Sequence, residues 1–268
     1  MEMQIRKPKE TTEWLNRFII HPLSYRLVRL LESTIVTPNF LSFFGLLSAF
    51  LGGCSLLLAQ TSLTYLLLAM FCFLCRMIFD AADGQLARAK NKSSTKGTLI
   101  DGLCDYLSVI FLYGVIAYLY YPLYGSFIFL LIAVAGYSSA LQATGYQLYI
   151  DIYNHLKYGK FGAKLGFIIA GENKSLSWLL RLYNHNQLRF FNKDKLLKML
   201  SEKVSLTKSQ QFETMLPSWH LLAGNYRYLL LALLINHIWL YFLIEIILLN
   251  LALFYLIIRC NRVLTSFC

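Results

Sequence analysis

Four stretches in the first 150 residues, 39–59, 63–90, 98–121 and 125–149, are each apolar and about 20 residues or longer; two more, 219–236 and 239–258, follow a polar interval. About 20 apolar residues in helical form cross the ~30 Å of hydrocarbon in a bilayer. Inside it only backbone that satisfies its own hydrogen bonds is stable. The pattern predicts an all-α integral membrane protein with six transmembrane helices, of which 219–236 is the shortest. Composition agrees, because 57% of the residues are hydrophobic, 15% are charged and the mean hydropathy is +0.52. Soluble domains carry about a quarter charged residues. A single water-soluble globule could not hide this much apolar surface, and a disordered chain has the opposite composition.

The net charge of +11 sorts by loop. The turns at 60–62, 122–124 and 237–238 hold no Lys or Arg, whereas the N-terminal segment, the 89–97 turn, the 150–218 segment and Arg259 and Arg262 are basic. All basic loops then fall on one side of the membrane. The positive-inside rule predicts that both termini and that side face the cytoplasm. This distribution accounts for the charge without nucleic acid, and no nucleic-acid partner is expected. Among the cysteines, Cys72 and Cys75 have CxxC spacing, but no further His or Cys completes a zinc set; they read as small hydrophobes within helices. The first forty residues lack a short apolar core, so no cleavable signal is expected.

Residues 1–36 contain six basic and four acidic side chains around Trp14, Leu15, Phe18, Ile19, Leu23, Leu27, Leu30 and Leu31, near helical spacing. This predicts an N-terminal amphipathic helix lying in the membrane interface; the competing reading is a soluble cap over the cytoplasmic face. Thr37 and Pro38 then suit a helix start, the threonine as N-cap and the proline at the first helical position. Residues 37–149 form the expected catalytic transmembrane core. In 150–218 eleven Lys or Arg face five Asp or Glu, which predicts a helical, basic cytoplasmic insertion between spans four and five. Residues 219–268 supply the last two spans and a tail.

Between residues 33 and 150 the acidic residues are Asp80, Asp83, Asp101 and Asp105. Ionisable groups at membrane depth are costly and functional by default. Spacings of three and four place each pair on one helix face. The fifteen residues from Tyr65 to Asp80 correspond to about 23 Å, which puts Asp80 at the cytoplasmic boundary of the core. The two helices are antiparallel and joined by a short turn, so four carboxylates converge there. Such a group repels itself unless cations or protons neutralise it. Hard oxygen ligands suit Mg²⁺ or Mn²⁺, with charge enough for two ions. Gly84, Ala87 and Gly97 permit close backbone approach, and Arg88 can hold phosphate oxygens through its fork. Together these residues suit a pyrophosphate substrate clamped by two metals. The alternative is that the carboxylates pair with Arg76, Arg88 or Lys96 as glue between helices.

The run Asp80-Ala-Ala-Asp83-Gly84-Gln-Leu-Ala87-Arg88, followed by Gly97, Asp101 and Asp105, resembles the CDP-alcohol phosphotransferase signature DxxDGxxAR, eight residues, GxxxDxxxD, at every fixed position. Thr37-Pro38-Asn39-Phe40-Leu41-Ser42 is similar to the family's entry into its first span. The resemblance covers 37–149 well and the last two spans loosely. It implies transfer of a substituted phosphate from a CDP-alcohol to a hydroxyl acceptor with release of CMP. By position it implies Asp80, Asp83 and Asp101 as metal ligands, and Asp105 as a ligand or as the general base for the acceptor hydroxyl. It implies Gly84, Ala87, Arg88, Gly97 and Asn39 as the cytidine-diphosphate site. A homodimer also belongs to what the family allows, with Glu245 either between subunits or, the preferred reading, within its own bundle.

Two donors fit this motif equally well. CDP-diacylglycerol with a water-soluble alcohol is preferred because the chain adds little to a six-span core. The reverse arrangement uses CDP-choline or CDP-ethanolamine with diacylglycerol. A divalent-cation transporter is the reading from another class. It is disfavoured because the aspartates cluster at one face and no ionisable chain continues across the membrane.

Overall fold

The computed structural model describes residues 9–92, 95–158, 206–224 and 226–265, and all regular structure among them is helical. Among the described residues, five helical stretches are long and apolar enough to cross a membrane: Pro38–Leu58, Leu63–Ala89, Ile100–Tyr124, Phe127–Tyr158 and Ile235–Val263. The sixth expected span, 219–236, is not one helix of that length. It folds as a 3₁₀ turn at His220–Leu222, a seven-residue helix at Arg227–Leu233 and a second 3₁₀ turn at Ile235–His237. Gly224 lies between the first two pieces with φ of +90°, a backbone state that a helix cannot continue through.

The helices are α1 (His21–Leu31), α2 (Pro38–Leu58), α3 (Leu63–Ala89), α4 (Thr95–Tyr124), α5 (Phe127–Tyr158), α6 (Leu206–Trp219), α7 (Arg227–Leu233), α8 (Ile238–Phe242) and α9 (Leu249–Thr265). A π-helical stretch, Leu243–Leu248, joins α8 to α9. Of the expected 150–218 insertion, residues 150–158 continue α5 and 206–218 lie in α6; residues 159–205 are outside the described part. The chain forms two compact units, Met1–Val134 with Asn225–Phe242, and Ala135–Gly224 with Leu243–Cys268.

In the first unit α2 packs along both α3 and α4. Lipid tails are as apolar as leucine, so helices in membranes associate through close fit, and small residues at the contact permit it. A Cβ at Gly52 would lie 2.7 Å from the fully buried Phe73 ring, and one at Gly53 would lie 2.6 Å from Phe111. Gly52→Val is therefore expected to destabilise the protein by about 1–3 kcal/mol through overpacking. Gly114→Ala, where nothing lies within 4 Å, should be neutral or slightly stabilising. Thermal unfolding in detergent compares the two; equal midpoints would refute the packing argument.

The termini of α2 and α3 follow from local chemistry. Thr37 is the N-cap of α2 with extended backbone, and Pro38 follows in the first turn. Contrary to expectation the threonine side chain makes no capping hydrogen bond; its backbone carbonyl accepts from Phe40 N–H at 3.1 Å instead. Ser62 does cap α3, accepting from Thr64 N–H at 3.2 Å. At the other end Asn91 adopts φ of +51°, with Asn91 N–H donating to the Arg88 carbonyl and Lys92 N–H to that of Ala87. These two bonds are the Schellman closure. They make Ala87 and Arg88 the last turn of a 27-residue helix about 40 Å long, which exceeds the hydrocarbon thickness.

α1 packs one face on the end of α3, where Val28 joins Leu41, Ala82 and Leu86. Ser24 accepts from Gln85 Nε2 at 2.7 Å, and Lys90 Nζ donates to the carbonyls of Thr34 and Val36. The remaining surface of this segment exposes Trp14, Phe18, Leu23 and Leu30 beside Arg17, Arg26 and Arg29.

In the second unit Tyr149 of α5 stacks between Phe212 and Trp219 of α6, at 5.2 and 4.6 Å between ring centroids. Its hydroxyl donates to the Phe212 carbonyl. Leu249, Leu253 and Leu256 of α9 close this core. A Cβ at Gly145 would lie 2.9 Å from Leu253. Gln142 donates to the backbone carbonyl of Glu245 and to Asn250, which donates to Ser138. Glu245 is fully buried.

Candidate active site

Asp80 is the eighteenth residue of α3, about 26 Å along the helix from Leu63. Asp101 and Asp105 occupy the early turns of α4. α2 packs on both helices, and across the cleft beside it these acidic side chains meet. One carboxylate oxygen each from Asp80, Asp101 and Asp105 lies within 4.8 Å of the others. Ser42, Gly45, Leu46, Cys104 and Ser108 complete the lining with Arg76. Gly45 faces the α3 backbone here, where a Cβ would make an ordinary contact with the Arg76 carbonyl at 3.7 Å.

The fourth carboxylate is engaged differently. Asp83 is buried beside Asp101 and accepts a hydrogen bond from Ser42 Oγ at 2.5 Å. Ser42 was visible in the sequence only as the end of the polar entry to the first span, because its partner lies 41 residues away. A hydroxyl that orients a metal-ligand carboxylate commonly contributes 10- to 100-fold to metal affinity. Ser42→Ala is accordingly expected to raise the Mg²⁺ concentration for half-maximal activity about tenfold. An unchanged Mg²⁺ titration would remove Ser42 from the site.

Arg88 folds back one turn, its Nη1 being 3.4 Å from where a Gly84 Cβ would stand. Gly84 thereby leaves room for the guanidinium along the helix surface. Ala87 and Gly97 are half-buried, Ala87 in the same last turn as Arg88 and Gly97 at the start of α4. Asn39 is exposed on the first turn of α2, three residues before Ser42 and on the same side.

At an effective dielectric near 20, unit charges 4.8 Å apart repel by about 3.5 kcal/mol per pair. One compensating cation is already in the chain: Arg76 Nη2 donates to Asp105 Oδ1 at 2.6 Å. The rest of the set is oxygen only, converging and negative, which is the donor chemistry of Mg²⁺ and Mn²⁺. The residues present therefore fit a divalent metal.

The described residues thus form a helical membrane protein with a carboxylate cleft between α3 and α4. The sequence model for CDP-alcohol phosphatidyltransferases matches residues 35–171, and the chain belongs to that family. The chain is also similar to ceramide phosphoethanolamine synthase of Drosophila melanogaster, 35% identical over 115 residues. That match covers 39% of this chain and 29% of the relative's length.

Proposed function

We propose that the protein transfers phosphoethanolamine, or a similarly small phosphorylated head group, from its CDP ester to the hydroxyl of a membrane lipid, releasing CMP. The observation that carries the reaction class is the meeting of Asp80, Asp101 and Asp105 from two helices in one cleft. The relative that makes ceramide phosphoethanolamine supports a head-group donor with a ceramide-like acceptor, in preference to CDP-diacylglycerol with a soluble alcohol.

In this reading Arg88, beside Gly84, holds phosphate oxygens of the donor, and Ala87, Gly97 and Asn39 line the cytidine-diphosphate site. Asp105 removes the proton from the acceptor hydroxyl. That oxygen attacks the phosphorus bearing the head group, the bond to the oxygen shared with the CMP phosphate breaks, and CMP leaves with the electron pair. Asp80, Asp83 and Asp101 would hold Mg²⁺ or Mn²⁺, two ions by charge, which neutralise the pyrophosphate and polarise the phosphorus. Phosphate-binding and proton-accepting groups thus belong to different helix ends, α3 and α4.

The same proposal includes six crossings, with 219–236 as a broken span, and places both termini and the cleft in the cytoplasm on the strength of the basic loops. Broken helices are stable at membrane depth where protein covers them. The exposed aromatic and basic side chains before and along α1 suit the lipid interface. Residues 37–149 act as the catalytic core and 150–218 as a cytoplasmic insertion. Pairing of two chains is open to cross-linking in native membranes.

Purified protein incubated with Mg²⁺, CDP-ethanolamine and ceramide should release CMP and form ceramide phosphoethanolamine, identified by mass spectrometry. A chelator should abolish the product and added Mg²⁺ restore it. A lipid product formed only from CDP-diacylglycerol and a soluble alcohol would overturn the donor assignment. Metal flux into sealed vesicles without CMP release would overturn the reaction.

A further inference from the structure

Arg76 stands outside the aspartate motif, one turn before Asp80 on α3, and is only 7% exposed. A guanidinium at this depth persists only where it is paired. Its Nη2 bonds Asp105 Oδ1, and its guanidinium carbon lies 4.4 Å from the centroid of the Tyr228 ring in α7. Tyr228 in turn lies 5.6 Å from the ring of Phe73, one turn back on α3. Arg76 Nε and the Tyr228 hydroxyl are both buried without a hydrogen-bond partner. A pair kept for stability alone would be better replaced by well-packed apolar side chains. This one retains two unsatisfied polar atoms while its Nη2 grips the Asp105 carboxylate.

We propose that Arg76, with its plane fixed by Tyr228, is the positioning residue for Asp105: it holds Oδ1 and leaves Oδ2 for the acceptor hydroxyl. Guanidinium has no lone pair for a metal and repels cations. Its grip therefore withdraws Asp105 from the ligand set and leaves Asp80, Asp83 and Asp101 to the ions. Stacking and a planar fork are specific to arginine, so lysine reproduces the charge without the fixed orientation. The catalytic half of this inference rests on the proposed transfer reaction, whereas its metal half does not.

The test uses the full chain in detergent with Arg76→Met, Arg76→Lys, Tyr228→Leu, Asp105→Asn and the Arg76→Met/Asp105→Asn double variant. In turnover, Arg76→Met should lower kcat about 10- to 100-fold with donor affinity within about threefold, Arg76→Lys should recover part of the loss, and Tyr228→Leu should fall between. The double variant should be no slower than Asp105→Asn alone. Mn²⁺ binding, followed calorimetrically without substrate, gives the independent reading. Asp105→Asn should change Mn²⁺ affinity by less than about threefold when Arg76 is present, but weaken it about tenfold or more when Arg76→Met has released the carboxylate to the ion.

Equal Mn²⁺ losses in both backgrounds, wild-type kcat in Arg76→Met, or multiplicative losses in the double variant would overturn the proposal. If Arg76→Met does not fold, Arg76→Lys and Tyr228→Leu carry the same cycle. Should wild type release CMP from no CDP-alcohol, the transfer reading fails alone, and the Mn²⁺ cycle still decides the role of Arg76.

Discussion

Asp105→Asn should lower kcat by about 10²- to 10⁴-fold while leaving donor affinity little changed, because general-base catalysis contributes in that range. The amide keeps the shape of the carboxylate and can still accept from Arg76, so the cleft should remain intact. What it cannot do is take a proton from the acceptor hydroxyl. Three carboxylates stay available for ions, and two of them, on Asp80 and Asp101, are already within 4.8 Å of each other. The measurement is a Mg²⁺ titration of the variant, with donor binding and CMP release followed in parallel. A low plateau with intact donor binding supports the base. Recovery of rate at high Mg²⁺ would show that Asp105 acts chiefly as a ligand and would sink this assignment.

Asp80→Asn is expected to behave in the opposite way. Asp80 belongs to the close group of three carboxylates and lines the cleft. A neutral amide oxygen removes one unit of ligand charge, and the variant should need about 100-fold more Mg²⁺ than wild type, since even partners that only orient a ligand contribute 10- to 100-fold. Much of the rate should return when Mg²⁺ is raised. Asp83→Asn should follow the same direction, its amide oxygen still able to accept from Ser42 Oγ. Wild-type activity of either variant at limiting Mg²⁺ would show that the residue is no ligand. The two families of variants thus separate along one axis: Mg²⁺ rescues the ligand variants and leaves the base variant slow.

Whatever depends on near neighbours along the chain could be read from the amino-acid order. Runs of apolar residues set the helical class and the first four spans, because a bilayer accepts little else. Spacings of three and four put Asp80 with Asp83 and Asp101 with Asp105 on single helix faces. The short turn between α3 and α4 makes their ends neighbours, so the acidic cleft was legible in the sequence. Tertiary structure decided which distant residues complete it. Ser42 reaches Asp83 across 41 positions and Arg76 reaches Asp105 across 29, separations over which no periodicity operates. The same packing drew three carboxylates together and set Asp83 against Ser42. Hydropathy suggested a span at 219–236, but it registers neither the turn at Gly224 nor the contact that places Tyr228 against Arg76. Local spacing fixes a helix face; only the close approach of helices, permitted by Gly52 and Gly53, selects what that face meets.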